Sequence, residues 1–396
     1  MIIEPADRTK DVREYYFSRK NKEIDALNAE RVEKGLDKIM NMGIGAPDGM
    51  PPLAAIETLA KETMRPGNHA YQSYTGLPAL RQAFADWYSK WYGVSLDPAT
   101  DIQPLVGSKE GILLISLAFV NPGDKVLVPD PGYPTYTSAS RIVGAEIVTY
   151  DLTAENHWLP DFDALEESDL ERVKIMWVNY PHMPTGAKAT PELYQRIVDF
   201  GRKHNILIVN DNPYSFILCE KPVSILAANG AKGCCLELNS LSKAHNMSGW
   251  RIGMVAGEKD IIAEVLKVKS QMDSGMFKPL QSAAIEALSS GPEWFKELND
   301  EYKRRRIAAG RIFDYLGVEY DHDSAGLFLW GKVPEAPEVP GMTAGEALSQ
   351  RILLEAGVFI TPGFIFGKNG NDYVRISLCA PVAAFEKALA KIKAAL

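Results

Sequence analysis

The chain is short of cysteine, short of histidine and without a long apolar run, and each shortage removes a class of protein. Its four cysteines, Cys219, Cys234, Cys235 and Cys379, include an adjacent pair but no C-x-x-C, so neither a disulfide framework nor a zinc site is indicated. Six scattered histidines form no H-E-x-x-H, and no metal site is expected. The longest apolar run, Gly111 to Val120, is too short to span a bilayer, and MIIEPADRTKDVREYY at the N-terminus is charged where a signal peptide is apolar. A G-x-x-x-x-G-K-[ST] loop and a G-x-G-x-x-G following a strand are both missing, which disfavours nucleotide and dinucleotide binding. A net charge of −8 with no run of Lys and Arg argues against nucleic acid, whose affinity rests on clustered cations. These absences leave a cytoplasmic protein that binds small anions, with no membrane and no nucleic-acid partner.

What is present is a large packing chain. At 396 residues it exceeds the roughly 250–300 at which one core stops growing, so two lobes are expected. From Leu105 to Gly257 short β-rich runs alternate with Gly/Pro/Asn turns and longer amphipathic stretches, the pattern of an α/β core. Six runs read as strands: 125–129, 146–150, 174–178, 206–210, 235–239 and 251–257. They are continuously apolar, as strands of a parallel sheet are. Thr190 followed by Pro191 predicts a helix start and a helix to His204, and the charged segment from Pro292 to about Leu316 reads as a connecting helix. The expected division is an N-terminal segment 1–48 completing a small lobe, a large lobe 49–295 and a small α+β lobe 296–396. KVPEAPEVPG, at 332–341, reads as a surface loop.

In an open α/β sheet ligands bind beyond the carboxyl ends of the strands. There the chain carries DPGYP after 125–129, NYPHMPTG after 174–178, DNPY after 206–210 and SLSKAHNMSGWRIG after 235–239, while VGSKEG opens the helix following Leu105. A lysine at a strand end, with small hydroxyls beside it and an arginine shortly after, supplies an amine nucleophile and a phosphate clamp together. Arg375 lies within the apolar run DYVRISLC, where a guanidinium needs a partner: a substrate carboxylate, or a structural Asp or Glu. Read alone, DNPY is also a plausible helix start and DPGYP a plain turn.

In this order the motifs resemble the class I and II aminotransferases of fold type I, over essentially the whole chain. The resemblance implies a pyridoxal 5′-phosphate enzyme whose large domain holds a mostly parallel seven-stranded sheet, with a smaller α+β domain. Lys243 would form the Schiff base and shuttle the proton. Asp211 would pair with the pyridine nitrogen and Tyr214 with the phenolic oxygen. Ser108, Lys109, Ser240, Ser242 and Arg251 would hold the phosphate, and Tyr133 would stack on the ring. Gly45 and Arg375 would bind the substrate. Tyr71 matches a tyrosine that reaches the phosphate of the neighbouring subunit, which implies a homodimer with a shared active site.

The departure from the family is at the turn Met183-Pro184-Thr185-Gly186, where Asn is usual and donates to the phenolic oxygen; Met cannot donate. Tyr214 then serves that oxygen alone or with water, or Asn179 or His182 reaches in. Losing that donor is expected to favour the protonated imine. QMDSGMFKP, at 271–279, lacks the arginine some aspartate-specific members carry, and Lys109 is the alternative ligand for a distal carboxylate. The motifs sit nearest the branch of LL-diaminopimelate, alanine and aspartate aminotransferases. Ping-pong transamination between an L-amino acid, with glutamate as donor, and a 2-oxo acid is therefore expected. The alternatives are a C–S lyase on the same lysine, a non-enzymatic regulator that binds the same cofactor, and a nicotinamide enzyme.

Overall fold

Alternating apolar runs and amphipathic helices fold around a seven-stranded sheet in the computed structural model, which describes residues 2–10, 12, 14–335 and 337–396. Its strands are β1 (Ile102–Leu105), β2 (Lys125–Asp130), β3 (Glu146–Asp151), β4 (Val173–Val178), β5 (Leu207–Asp211), β6 (Cys235–Ser240) and β7 (Gly253–Gly257). The spatial order is β1-β7-β6-β5-β4-β2-β3. Helices cover both faces, so β2, β6 and β7 are buried along their whole length. Ile208, Val209, Leu236 and Leu238 are fully buried, each stabilising the sheet by about 1.5–3 kcal/mol.

Two details differ from the sequence expectation. The run at 251–257 is not a parallel strand: β7 pairs antiparallel with both β1 and β6. The physical reason is the connection from β6, residues 241–252, whose only helical piece is the single 3₁₀ turn Ser248–Trp250, too short for a crossover, so the chain turns back beside β6. The seventh strand, β1, was not among the six runs. Its IQPL contains Pro104, which a strand tolerates at a sheet edge, where β1 lies.

The predicted helix starts and ends as its residues dictate. Thr190 caps Pro191–His204, its hydroxyl accepting from the Leu193 amide at 3.1 Å, and Asn205 closes it with φ 55°. Helix Pro292–Leu316 links two cores: Phe295 packs with Trp87 and Phe216, whereas Ile312 and Phe313 pack with Leu329 and Ile376. That second core covers a four-stranded antiparallel sheet of β8 (Glu319–Tyr320), β9 (Phe328–Lys332), β10 (Thr361–Pro362) and β11 (Tyr373–Ser377), in the order β10-β11-β9-β8. Met40–Asn41 pairs in parallel with Val358–Phe359, which fastens the N-terminal segment to this part of the chain. Within the loop 332–341, residue 336 lies outside the described residues. No described helix is long and apolar enough to cross a membrane.

Candidate active site

A cavity of about 420 Å³ opens at the carboxyl end of the large sheet. Of the residues singled out in the sequence, Gly45, Ser108, Lys109, Tyr133, Asn179, Asp211, Tyr214, Ser240, Ser242, Lys243, Arg251 and Arg375 all line it. Tyr71 does not; it stands 90% exposed, away from this chain's own cavity.

Lys243 follows β6 by three residues, so the strand delivers its amine to the cavity floor. Its Nζ donates to the Gly45 carbonyl at 2.6 Å. Burial lowers its pKa, and the nearby Arg375 and Arg251 cations push in the same direction against Cys379 and Asp211. Gly45 must be glycine: a Cβ there would lie 2.6 Å from the Phe328 ring. The chain then turns through Asn246 and Arg251, both at positive φ (54° and 56°), before re-entering the sheet as β7. This uncommon backbone aims the Arg251 side chain at the turn before helix Ser108–Phe119. Its Nη1 donates to the Ser248 carbonyl at 2.8 Å, and Gly107, at φ +77°, leaves the room: a Cβ there would sit 2.2 Å from Arg251 Nη2. Glu110 holds the turn from within, accepting the Val106 amide at 2.6 Å and the fully buried Lys269 ammonium at 3.4 Å. The amides opening this helix and the Arg251 cation thus form one anion cradle.

Asp211 ends β5. Its Oδ2 accepts from the Tyr136 hydroxyl at 3.0 Å, while Oδ1 is buried with no partner. Burial raises its pKa to about 6 despite the Tyr136 hydrogen bond and the Lys243 charge. Tyr136, stacked on Trp177 at 5.2 Å, escaped the sequence reading; its i+3 spacing from Tyr133 on the turn into helix Pro134–Ile142 was the available signal. Phe17, Phe328 and Phe366 also line the cavity, and no motif marked them.

The loop carrying the family departure is fixed by Asn179. Its Nδ2 donates to the Asp211 carbonyl at 2.5 Å and its Oδ1 accepts the Met183 amide at 2.8 Å. His182 is buried outside the cavity lining, with Nδ1 bonded to the Thr185 hydroxyl at 2.8 Å, and burial depresses its pKa to about 3. Met183 itself faces inward, its Sδ 3.4 Å from Arg375 Nη1.

Arg375, on β11, is buried with no carboxylate partner among the described residues. Its Nη2 donates to the Gly43 carbonyl at 3.1 Å, Nε has no partner, and the guanidinium lies 3.9 Å from the Phe328 ring centre and 4.6 Å from that of Phe366. Burial lowers its pKa to about 10. With no structural acid beside it among the described residues, what remains is a guanidinium with an unpaired Nε–H in the wall of a cavity.

Over residues 37–392 the chain matches the family described as "Aminotransferase class I and II". It is 41% identical to the LL-diaminopimelate aminotransferase of Aquifex aeolicus, covering 99% of both chains, and 42% identical to that of Maridesulfovibrio salexigens, covering 98% of both. Among solved structures, substrate-bound BacF of Bacillus subtilis superposes with a TM-score of 0.91 at 34% identity, covering 100% of this chain and 98% of that one. A variant of Thermus thermophilus aspartate aminotransferase superposes with a TM-score of 0.88 at 25% identity, covering 100% of both chains. The chain belongs to the class I and II aminotransferases and is a pyridoxal-phosphate-dependent aminotransferase of fold type I. The site fits that cofactor on its own terms: an anion cradle at a helix start, an orphaned buried carboxylate oxygen on Asp211 and a buried neutral-leaning amine on Lys243.

Proposed function

We propose that this aminotransferase moves the amino group of L-glutamate to a 2-oxo acid by a ping-pong mechanism, with Lys243 as the residue that carries the cofactor and transfers the proton. The observation that carries the reading is Arg375, a buried guanidinium without an acid, sharing one cavity with the Lys243 amine. The cofactor, when bound, supplies an aldehyde that reacts with amines and a ring that draws electrons from the α-carbon. Asp211 would hold a proton on the ring nitrogen, and Tyr214 would serve the phenolic oxygen. Ser108, Lys109, Ser240, Ser242 and Arg251 would hold the phosphate, and Tyr133 would stack on the ring. Arg375 grips the substrate carboxylate beneath the Gly45 backbone, while the Lys243 amine, kept neutral by burial, takes the α-proton and returns it on the cofactor side.

The proposal includes a homodimer in which Tyr71 reaches the partner's phosphate. Tyr71, Tyr74, Met64, Met272 and Phe277 are large side chains left exposed, and Gly275 seats the 271–277 loop directly on the backbone of Gln72 and Ser73. It also includes the division at 48 and 295, supported by the separate cores that helix Pro292–Leu316 joins, and a cytoplasmic setting, supported by the free thiols. The relatives' name makes LL-diaminopimelate the first amino acid to assay beside glutamate, alanine and aspartate. A panel of amino acids, each scored for bleaching of the visible absorbance of the holoenzyme, tests the reading. Borohydride trapping must place the cofactor on Lys243; a label elsewhere ends the proposal. Release of pyruvate and ammonia without a 2-oxo acid acceptor would point to a lyase, a reading the two aminotransferase relatives do not support.

A further inference from the structure

The end of the sheet opposite the active site holds a second cluster of reactive side chains. Cys235 is the first residue of β6, and Cys234 precedes it in the turn entering the strand. Their sulfurs are 3.5 Å apart. Cys235 is fully buried, whereas Cys234 is half-buried and lines an open cavity of about 590 Å³ together with Lys174, Arg202 and Lys232. Three cations therefore share a hollow with one accessible thiol in a chain whose net charge is −8.

We infer that Cys234 and Cys235 are a peroxide-reactive dithiol, Cys234 attacking the oxidant and Cys235 closing the disulfide. As a thiol, Cys234 donates to the Gly230 carbonyl at 3.5 Å. On ionisation it accepts from the Cys235 thiol instead. That hydrogen bond, with the Arg202 charge, holds the Cys234 pKa below the ordinary value against burial and the Asp199 carboxylate, while the same contact and burial push that of Cys235 up. The pair thus divides into a nucleophile and a protonated partner. The other two cysteines show no such division: burial raises both Cys219 and Cys379.

The chemistry balances with a hydroperoxide as the only co-reactant. The Cys234 thiolate attacks the O–O bond; an S–O bond forms, the O–O bond breaks, and the leaving oxygen takes a proton from water. Sulfur is oxidised to a sulfenic acid and the hydroperoxide is reduced to an alcohol, or to water when it is hydrogen peroxide. Cys235 then attacks the sulfenic sulfur, forming the S–S bond as hydroxide leaves with the Cys235 proton as water. Backbone room for closure lies at Gly233, which has φ +83° and nothing within 4 Å of its Cβ position. Consecutive Cα atoms are about 3.8 Å apart, nearer than the roughly 4.4–6.8 Å of ordinary disulfides. The ring is consequently easy to reduce, and the site resets with small thiols.

The test compares wild-type holoenzyme with Cys234→Ser and Cys235→Ser, neither of which touches the cofactor cavity. Each is exposed to hydrogen peroxide, alkylated under denaturing conditions and mapped by mass spectrometry with and without dithiothreitol. The wild type is expected to lose two hydrogens within the peptide carrying both cysteines and to regain them with dithiothreitol. Cys235→Ser is expected to stop at a sulfenic acid that dimedone captures on residue 234. Cys234→Ser is expected to lose its remaining thiol at this site about tenfold more slowly. The inference is overturned if both wild-type thiols stay alkylatable, if Cys234→Ser reacts as fast as wild type, if Cys234 runs on to an irreversible acid without a bridge, or if the bridge maps to Cys219 or Cys379.

Discussion

Two carboxylates lie buried on neighbouring strands of the large sheet and are furnished in opposite ways. Glu237, in the middle of β6, accepts from Tyr88 at 2.8 Å, Ser224 at 2.8 Å, Asn210 at 2.9 Å and the Ile225 amide at 3.0 Å. Asp211, at the end of β5, has Tyr136 on one oxygen and nothing on the other. Both are pushed up by desolvation, but four donors counter it at Glu237 where a single hydroxyl does so at Asp211. The same contrast separates Arg305, which pairs with Asp48 at 2.5 Å and Glu301 at 2.8 Å, from Arg375, which pairs with no acid. A buried polar group with all its partners is structure; one left short of them in a cavity wall is waiting for a ligand.

Breaking the second kind should abolish chemistry and spare the fold. The largest effect is expected from Lys243→Ala: turnover falls by at least about 10⁴-fold and borohydride no longer fixes the cofactor to the chain. Its melting temperature without cofactor should not fall, because the amine it removes is a buried donor with a single carbonyl partner. Arg375→Met follows, with kcat/KM for every amino acid falling by about 10²-fold or more. Its apo form should melt no lower than wild type, since the substitution removes a desolvated charge that nothing in the chain offsets. A large loss of stability in Arg375→Met would show that the guanidinium holds the fold.

Asp211→Asn should likewise cost about 10²-fold in turnover, and it carries a pH signature. The folded pKa of about 6 lies above the ordinary value of 3.8, so the folded apoprotein holds a proton the unfolded chain releases. The stability from that group is present below 3.8 and is lost as pH rises through about 6. Thermal scans of the apoprotein across this window should show a shallower decline in Asp211→Asn than in wild type, the remainder belonging to the other raised carboxyls, Glu237 and Asp130. Glu237→Gln should reverse the pattern. An amide there keeps its oxygen on Asn210 and Ile225 only by turning its N–H groups onto the Tyr88 and Ser224 hydroxyls, which must then accept, costing about 1–3 kcal/mol of stability, while the folded fraction keeps its turnover.

How much of this was legible in the sequence divides along the same line. Groups that line the cavity sit at or just past strand ends in short runs, so SLSKAHNMSGWRIG and DNPY showed themselves. Groups that meet only each other are scattered: Tyr88, Asn210, Ser224 and Glu237 come from four distant segments, and no spacing announces their network. The direction of β7 was hidden because an antiparallel strand buried on both faces is as apolar as a parallel one. β1 was hidden by its proline. Phe328 and Phe366, which flank Arg375, lie in no motif and come from two separate segments that only the fold brings to it.

Met183 lies between the two kinds, and it offers the smallest and sharpest test. It occupies the cavity wall, yet its only polar contact is a thioether 3.4 Å from Arg375 Nη1, a weak acceptor that can donate nothing. Asn179, one turn back, spends its amide on the Asp211 carbonyl and the Met183 amide, and His182 is turned to Thr185. With those groups engaged, Tyr214 is, on the proposed function, the donor that would be left for the phenolic oxygen. Met183→Asn adds a second, and a hydrogen bond of about 1 kcal/mol to the unprotonated form moves a titration by roughly one unit. The pH midpoint of the holoenzyme's visible absorbance should therefore drop by about that amount in Met183→Asn, with the melting temperature little changed. An identical midpoint in the two proteins would mean that residue 183 acts on Arg375 alone and that the ring oxygen never sensed the missing donor.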